Sequence, residues 1–279
     1  MAAGGVGPRA SGRRGTIRLL SRPSTPCITD DLKLALRLAD EASALALDLL
    51  TRGTHSDRKA GGTVVTDADL EVERMLSAEL ASERPDDAVL GEEFGGPSKA
   101  PRRWILDPID GTRNFVAGRP DWGVHIALEH DGEVTVGVIT RPVLETRWWA
   151  ARGLGAYVGG SRPEGEAASL HVSPHNSLAG ARVSGWLLNG DPLKEHLRSL
   201  SGWIAPVDLD TILRVAEGRL DAVLDGTASK IWDRAPLVVL VQEAGGRYRD
   251  RTGGQDLERP GGLFTNGRID VELDHFLAR

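Results

Sequence analysis

Apolar positions in the first hundred residues recur with helical spacing. From Asp31 to about Leu50 they return every three or four residues, and Thr29–Asp30 reads as the N-cap of that helix. Asp69 to about Glu83 repeats the pattern through Leu70, Val72, Met75, Leu76 and Leu80, with Gly61–Gly62 marking a loop before it. Short strands fit Ala88–Gly91 and Arg103–Leu106. The character changes over residues 122–150. WGVHIALEH and EVTVGVITR are β-rich runs joined by the tight-turn dipeptide Asp131–Gly132, and TRWWAARG and GAYVG continue the meander.

The second half alternates differently. Strands are expected near 181–186, 203–207, 220–224 and 246–249, with helices over 209–217, 233–244 and 269–278. An antiparallel first half and a mixed second half predict a layered α+β or α/β protein without doubly wound regularity. Residues 161–168, SRPEGEAA, are the expected boundary between an N-terminal α+β subdomain (30–160) and a C-terminal α/β subdomain (161–279).

Composition narrows the partners. The chain has 279 residues, is 40% hydrophobic and 27% charged, and carries a net charge of -6. Those values fit a globular protein and argue against nucleic acid as a partner. An acidic protein that handles an anionic substrate needs a local cation, and a bound metal supplies one. No apolar run reaches membrane-spanning length, so no membrane partner is expected. The single cysteine, Cys27, lies in a Pro/Ser/Thr-rich stretch and cannot form an internal disulfide, which makes a reducing compartment the default, and the lack of a targeting signal makes the cytoplasm the expected location. Residues 1–29 hold five arginines (Arg9, Arg13, Arg14, Arg18 and Arg22) and no acid. The pair Arg13–Arg14 is followed by TIRLLSRPSTP, which lacks the apolar core of a signal peptide, so a disordered basic tail is expected there.

Four acidic segments carry the chemistry. They are Thr66–Asp69, Gly91–Gly96 (GEEFGG), Asp107–Thr112 (DPIDGT) and Ile231–Asp233. In the third, the strand WIL delivers Asp107, and Pro108 and Ile109 separate it from Asp110. Two carboxylates this close repel unless a cation is shared, and hard divalent ions take such oxygens together with backbone carbonyls. Gly111 permits close backbone approach, and the helix that Thr112 can start would offer N–H groups to a phosphate. Taken singly, each segment is as readily a turn, a solvated strand end or a helix cap. Their combination points to metal-assisted phosphoryl transfer.

In order, Thr66-x-x-Asp69, Gly91-Glu92-Glu93, DPIDGTRNF at Asp107–Phe115, Trp232–Asp233 and Glu243-Ala244-Gly245-Gly246 resemble the signature set of the inositol monophosphatase superfamily of lithium-sensitive phosphatases. The resemblance runs from about Asp31 to the C-terminus. RWWAARG at Arg147–Gly153 and RPDDAVLGEEFGG at Arg84–Gly96 add local similarity to actinobacterial histidinol-phosphate phosphatases. It implies an αβαβα fold and a Mg2+-dependent phosphomonoesterase acting through metal-activated water, with two or three ions. Glu92, Asp107 and the Ile109 carbonyl would hold the first ion, and Asp107, Asp110 and Asp233 the second. Glu92 and Thr112 would orient the water, with Asp69 acting through it. Gly111 and Thr112 N–H groups would grip the phosphate, and Lys59 would help close the N-terminal loop over the site. Relatives are often homodimers, and the same is expected here.

The substrate half departs from the pattern. Pro206–Thr211 replaces a G-S-x-A-like segment and does not match the Arg/Tyr-Gly-Asp segment of histidinol-phosphate members. Asp225 is the acid nearest the glutamate that inositol phosphatases place before the WD, shifted by about one residue. Asp225 and Lys230, with Asp110, are the candidate substrate contacts. The expected substrate is a small polar phosphate ester such as an inositol or other polyol phosphate. Histidinol phosphate, a 3′-nucleotide or a specialised metabolite is the alternative, and a non-catalytic scaffold the distant one. His125 reads as a satisfied core histidine, and Trp148–Trp149 as packing residues. Asp208-Leu209-Asp210 supplies the D-x-D of a rival phosphatase class that attacks through aspartate, but Ile212 stands where that motif needs Thr or Val.

Overall fold

The computed structural model describes residues 1–2, 27–58, 64–160, 166–187, 191–206, 208–226 and 229–278. The expected basic tail lies largely outside them, as do Gly61–Gly62 and Lys59.

Helix α1 spans Ile28–Arg52, and its N-cap is Cys27 rather than Thr29–Asp30. The Cys27 carbonyl already accepts the N–H groups of Asp30 and Asp31 at 2.8 and 3.1 Å, so the first turn closes two residues early. Asp30 and Asp31 then sit in that turn, where the helix dipole favours negative charge. Helix α2 (Asp67–Glu83) follows a small hairpin of β1 (Ser56–Arg58) and β2 (Val64–Thr66).

The seven-stranded sheet runs in chain order: β3 (Ala88–Gly91), β4 (Arg102–Asp110), β5 (Gly123–His130), β6 (Glu133–Arg141), β7 (Thr146–Ala151), β8 (Gly155–Gly160) and β9 (Ala168–Ser169). Strands β3 and β4 are parallel, and every later pair is antiparallel. A short helix, α3 (Thr112–Val116), links β4 to β5. The second sheet is mixed. Its strands β10 (Val183–Trp186), β11 (Ala222–Asp225), β12 (Arg247–Arg249) and β13 (Gly262–Thr265) lie in the order β10-β11-β13-β12. Helices α4 (Pro192–Arg198), α5 (Leu213–Ala216), α6 (Ile231–Glu243) and α7 (Asp270–Leu277) complete the fold.

Side-chain alternation along the strands sorts these elements into layers. On β4, Trp104 and Leu106 pack with Leu38 and Leu76 of α1 and α2, whereas Ile105 faces Val239 and Leu240 of α6. The far side of α6 meets Tyr248 and Phe264 of the second sheet, whose other face buries Leu224 and Leu263 against Leu197 of α4 and Leu273 of α7. The order is helix, sheet, helix, sheet, helix. Close packing at the centre needs Gly137 on β6: a Cβ there would lie 2.6 Å from Val239 Cγ1 and 2.8 Å from the Pro236 carbonyl. Helix α6 thus packs on both sheets. Among the described residues no helix is long and apolar enough to cross a membrane.

Two expected elements change. The strand near 203–207 reduces to a bridge between Trp203 and Val183, and Pro206 has no N–H to extend a ladder. The helix over 209–217 divides into a 3-10 turn, Leu209–Thr211, and the single-turn α5. Helix α4 escapes a periodicity search because it is too short, although Asp191 caps it and Pro192 opens it.

Candidate metal centre

Strand β4 carries two acids to one place because it bulges. Asp107 pairs with His125 and Asp110 with Gly123, so three steps on β4 match two on β5. Pro108 lies in the irregular stretch, where the ladder forgoes the N–H that proline lacks. Gly111 then turns the chain into α3 at φ +84°. A Cβ there would lie 2.6 Å from Leu209 Cδ1 and 3.0 Å from the Asp121 carbonyl, so glycine is required on both counts.

Two further acids arrive at the same position of two helices. Asp69 is the third residue of α2, and its Oδ2 accepts the Thr66 N–H at 2.8 Å. Asp233 is the third residue of α6, and its Oδ2 accepts the Lys230 N–H at 2.6 Å. Each spends one oxygen on its own helix start, as the glutamate of a capping box does. Glu92 lines the cavity from the turn after β3, its N–H donating to the Leu106 carbonyl at 3.2 Å.

The result is a cavity of about 620 Å³ lined by Glu92, Asp107, Asp110, Thr112, Asp233 and other residues. One carboxylate oxygen from each of Asp107, Asp110 and Asp233 lies within 4.8 Å of the others. Asp107 is buried, and its Oδ1 has no hydrogen-bond partner. Burial, and then the charges of Glu92, Asp110, Asp233 and Asp69, push the Asp107 carboxyl well above its usual value. Burial and Asp110 push Asp233 up to about 6. Burial also raises Asp69, against hydrogen bonds from Thr66 and Thr112. Asp110 goes the other way: burial opposes its charge, but His125 and Arg141 outweigh it and hold the carboxyl low. An all-oxygen donor set with an orphaned buried oxygen and mutual repulsion fits a hard divalent cation.

Thr112 ties this floor together. Its Oγ1 lies 3.2 Å from Asp69 Oδ1 and 3.1 Å from the Ile109 carbonyl. Gly111, Ile109 and Lys230 also line the cavity, Lys230 from an exposed position. Asp225 does not line it. It is buried at the end of β11 and accepts the Ser229 hydroxyl. The Glu93 N–H donates to Glu73. Both acids of the D-x-D string are engaged by arginines, Asp208 by Arg214 and Asp210 by Arg141, while Leu209 between them lines the cavity.

Three contributors escape a reading of motifs. His125 is buried as expected of a core histidine, yet its Nε2 lies 3.2 Å from Asp110 Oδ2. Arg141 reaches the same oxygen at 3.3 Å and bonds Asp210. Glu73 accepts the Glu93 and Phe94 N–H groups at 2.8 Å each and so holds the turn that presents Glu92. Glu73 carries the one local signal, a charge four residues after Asp69 among the apolar positions of α2. Trp148 and Trp149 pack as expected: Trp148 is buried and donates to Glu217, and Trp149 stacks on Tyr157.

The chain is similar to known proteins over most of its length. Residues 29–275 match the pattern of the inositol monophosphatase family. A Streptomyces griseus protein named glucose-1-phosphate thymidylyltransferase is 44% identical over 232 residues, covering 82% of this chain and 88% of its own. A Mycobacterium tuberculosis histidinol-phosphatase is 42% identical over 258 residues, covering 88% and 96%. The structure of a Thermotoga maritima IMPase superposes with a TM-score of 0.75 at 28% identity, covering 89% of this chain and 97% of that one. The expected αβαβα fold is thereby established, and the chain belongs to the inositol monophosphatase family, as a phosphoric monoester hydrolase.

Proposed function

We propose that this phosphatase hydrolyses a small polar phosphate monoester with two or three Mg2+ ions, and that histidinol phosphate is its first candidate substrate. The observation that carries the metal-dependent reading is the convergence of Asp107, Asp110 and Asp233 under one cavity, with a buried Asp107 oxygen left without a partner. The 42% identity to a protein named histidinol-phosphatase supports that choice of substrate. Inositol 1-phosphate is the second reading, supported by the likeness to the T. maritima IMPase.

Glu92, Asp107 and the Ile109 carbonyl would hold one ion, and Asp107, Asp110 and Asp233 another. When bound, the metal neutralises phosphoryl charge and lowers the cost of generating a nucleophile from water. The residues do the rest. Thr112 has one hydroxyl proton. Donated in a hydrogen bond to Asp69, it leaves the Thr112 oxygen free to accept a hydrogen bond from water and, with Glu92, to aim that water at phosphorus. The Gly111 and Thr112 N–H groups would receive the phosphate oxygens. Arg113 and Lys230 line the same cavity and form no ion pair among the described residues, which suits an anionic ester. Lys230 would meet the ester outside the metal floor.

The test is phosphate release from histidinol phosphate, inositol 1-phosphate, glucose 1-phosphate and a 3′-nucleotide, with Mg2+, EDTA and Li+ arms. Release that needs Mg2+ and is inhibited by Li+ supports the reading. Release that persists in EDTA, or no release from any ester, refutes it. Incubating glucose 1-phosphate with thymidine triphosphate tests the activity named for the S. griseus relative. A homodimer and a cytoplasmic location are the accompanying expectations, read by light scattering and cell fractionation.

A further inference from the structure

Arg141 is buried to 1% exposure at the end of β6, yet it is no ligand and lies in none of the motifs. A guanidinium that far from water must be fully paired. Its Nε donates to Asp210 Oδ1 at 2.9 Å, and its Nη2 lies 2.9 Å from the same oxygen. Nη2 also lies 3.3 Å from Asp110 Oδ2. Nη1 lies 3.2 Å from the Thr140 carbonyl and 3.3 Å from His125 Nε2. One planar fork therefore touches a predicted metal ligand and the 3-10 turn Leu209–Thr211 at once.

Register explains how the side chain reaches so far. Asp110 stands opposite Gly123 on β5. Extending the β5–β6 register by two residues from His125 opposite Ile139 sets Gly123 opposite Arg141. Arg141 thus reaches Asp110 across a glycine, and a Cβ on Gly123 would meet Arg141 Nη1 at 2.6 Å. The turn on the other side of the clamp carries Leu209, which lines the cavity and abuts Gly111. Where Asp210 is held decides where Leu209 stands, and so where the non-phosphate part of an ester can sit.

We propose that Arg141 is a positioning residue that clamps the Leu209–Thr211 turn to Asp110, setting the distance between the metal floor and the wall that meets the leaving alcohol. The inference rests on the phosphatase reading above. Lysine cannot replace it, because a single ammonium cannot serve the four partners of the planar fork.

Purified full-length wild type, Asp210→Ala, Asp210→Asn, Arg141→Lys, Arg141→Met and the double variant Arg141→Met/Asp210→Ala are compared on the ester that the wild type hydrolyses with Mg2+. Turnover by the wild type establishes the reading on which the clamp rests, so failure of either is told apart. Binding of Mn2+ to the ester-free protein is measured by electron paramagnetic resonance. Asp210→Ala should raise KM about tenfold while the Mn2+ dissociation constant stays within about twofold, the pattern of a displaced wall over an intact floor. Asp210→Asn, which keeps an acceptor, should fall between. Arg141→Lys should not restore KM, and the double variant should be no worse than Arg141→Met, because both substitutions remove one clamp. An unchanged KM in Asp210→Ala, a parallel loss of Mn2+ affinity, or effects that multiply in the double variant would overturn the proposal. If Arg141→Met does not fold, the Asp210 pair decides.

Discussion

Replacing Asp107 with asparagine should stabilise the metal-free protein while abolishing its response to magnesium. Asp107 is 1% exposed, and its ligand oxygen lies within 4.8 Å of those on Asp110 and Asp233. Arg141 and His125 already compensate Asp110, and Asp233 stands with Glu92 among the other neighbours that repel Asp107. Two unit charges at that separation repel by about 3 kcal/mol at an effective dielectric constant near 20. Asparagine keeps the volume and removes the charge. For a chain of this size, relief of that order raises Tm by roughly 6–12 °C. The gain depends on pH. Burial and Asp110 raise Asp233 from 3.8 to about 6, and burial with the surrounding acids raises Asp107 well above its usual value. Between the ordinary carboxylate value and these raised ones, the native state binds more protons than the unfolded state. Wild-type stability in EDTA therefore falls as pH rises through about 6. The advantage of Asp107→Asn should be small near pH 4 and grow as pH rises through about 6, where Asp233 ionises, and further as Asp107 does. Thermal melts followed by circular dichroism, in EDTA and in Mg2+ across that range, are the assay. Mg2+ should raise the wild-type Tm and leave the variant unmoved, and phosphate release by the variant should fall by orders of magnitude. A variant that melts below the wild type in EDTA at about pH 8, or that gains as much from Mg2+, would refute the repulsion argument.

Three other substitutions test separate readings. Gly111→Ala places a Cβ against Leu209 at φ +84°, so it should cost about 1–2 kcal/mol in denaturant unfolding and lower kcat/KM; unchanged kinetics would deny that the turn shapes the cavity. Glu73→Ala strips two N–H groups of their buried acceptor, so it should destabilise by about 2–4 kcal/mol in urea and weaken Mn2+ binding through the loosened Glu92 turn. Cys27→Ser should leave phosphate release and Tm unchanged, since Cys27 is exposed and caps α1 without a side-chain bond; a tenfold loss of activity would give the thiol a role.

The floor of the site was legible in the chain because each part of it is local. Asp107 and Asp110 are fixed by a proline-bearing bulge and a glycine turn, all within six residues. Asp69 and Asp233 are oriented by the first turns of their own helices, through bonds spanning three residues. Alternation on β4 to β6 and helical spacing on α1 and α2 likewise need only neighbours in sequence, and those elements formed where expected. Arg141, His125 and Asp210 were not legible, because what places them is pairing across three strands and a contact 69 residues long. EVTVGVITR reads as an apolar strand that ends in a polar residue. Nothing local distinguishes its last arginine from a solvated one, yet it is among the most buried charges in the protein. The segment 203–217 failed for the same reason: Pro206 breaks the ladder, and Asp208 and Asp210 answer to arginines rather than to helical periodicity.

This division between local floor and long-range wall has a mechanistic consequence. The floor acids draw their orientation from caps and a bulge, so they hold their places when the wall moves. The Leu209–Thr211 turn reaches the floor through Leu209 on Gly111 and Asp210 on Arg141. Helix α6 presents Asp233 at its start and packs its length between both sheets, so this candidate ligand is held by the protein core. On the proposed reading, a change at 208–211 should therefore act on the alcohol side more than on the metal floor. A change in the packing of α6 acts on Asp233 directly. Core substitutions such as Val239→Ala should accordingly reduce kcat through the metal site, and substitutions in the wall should act through KM.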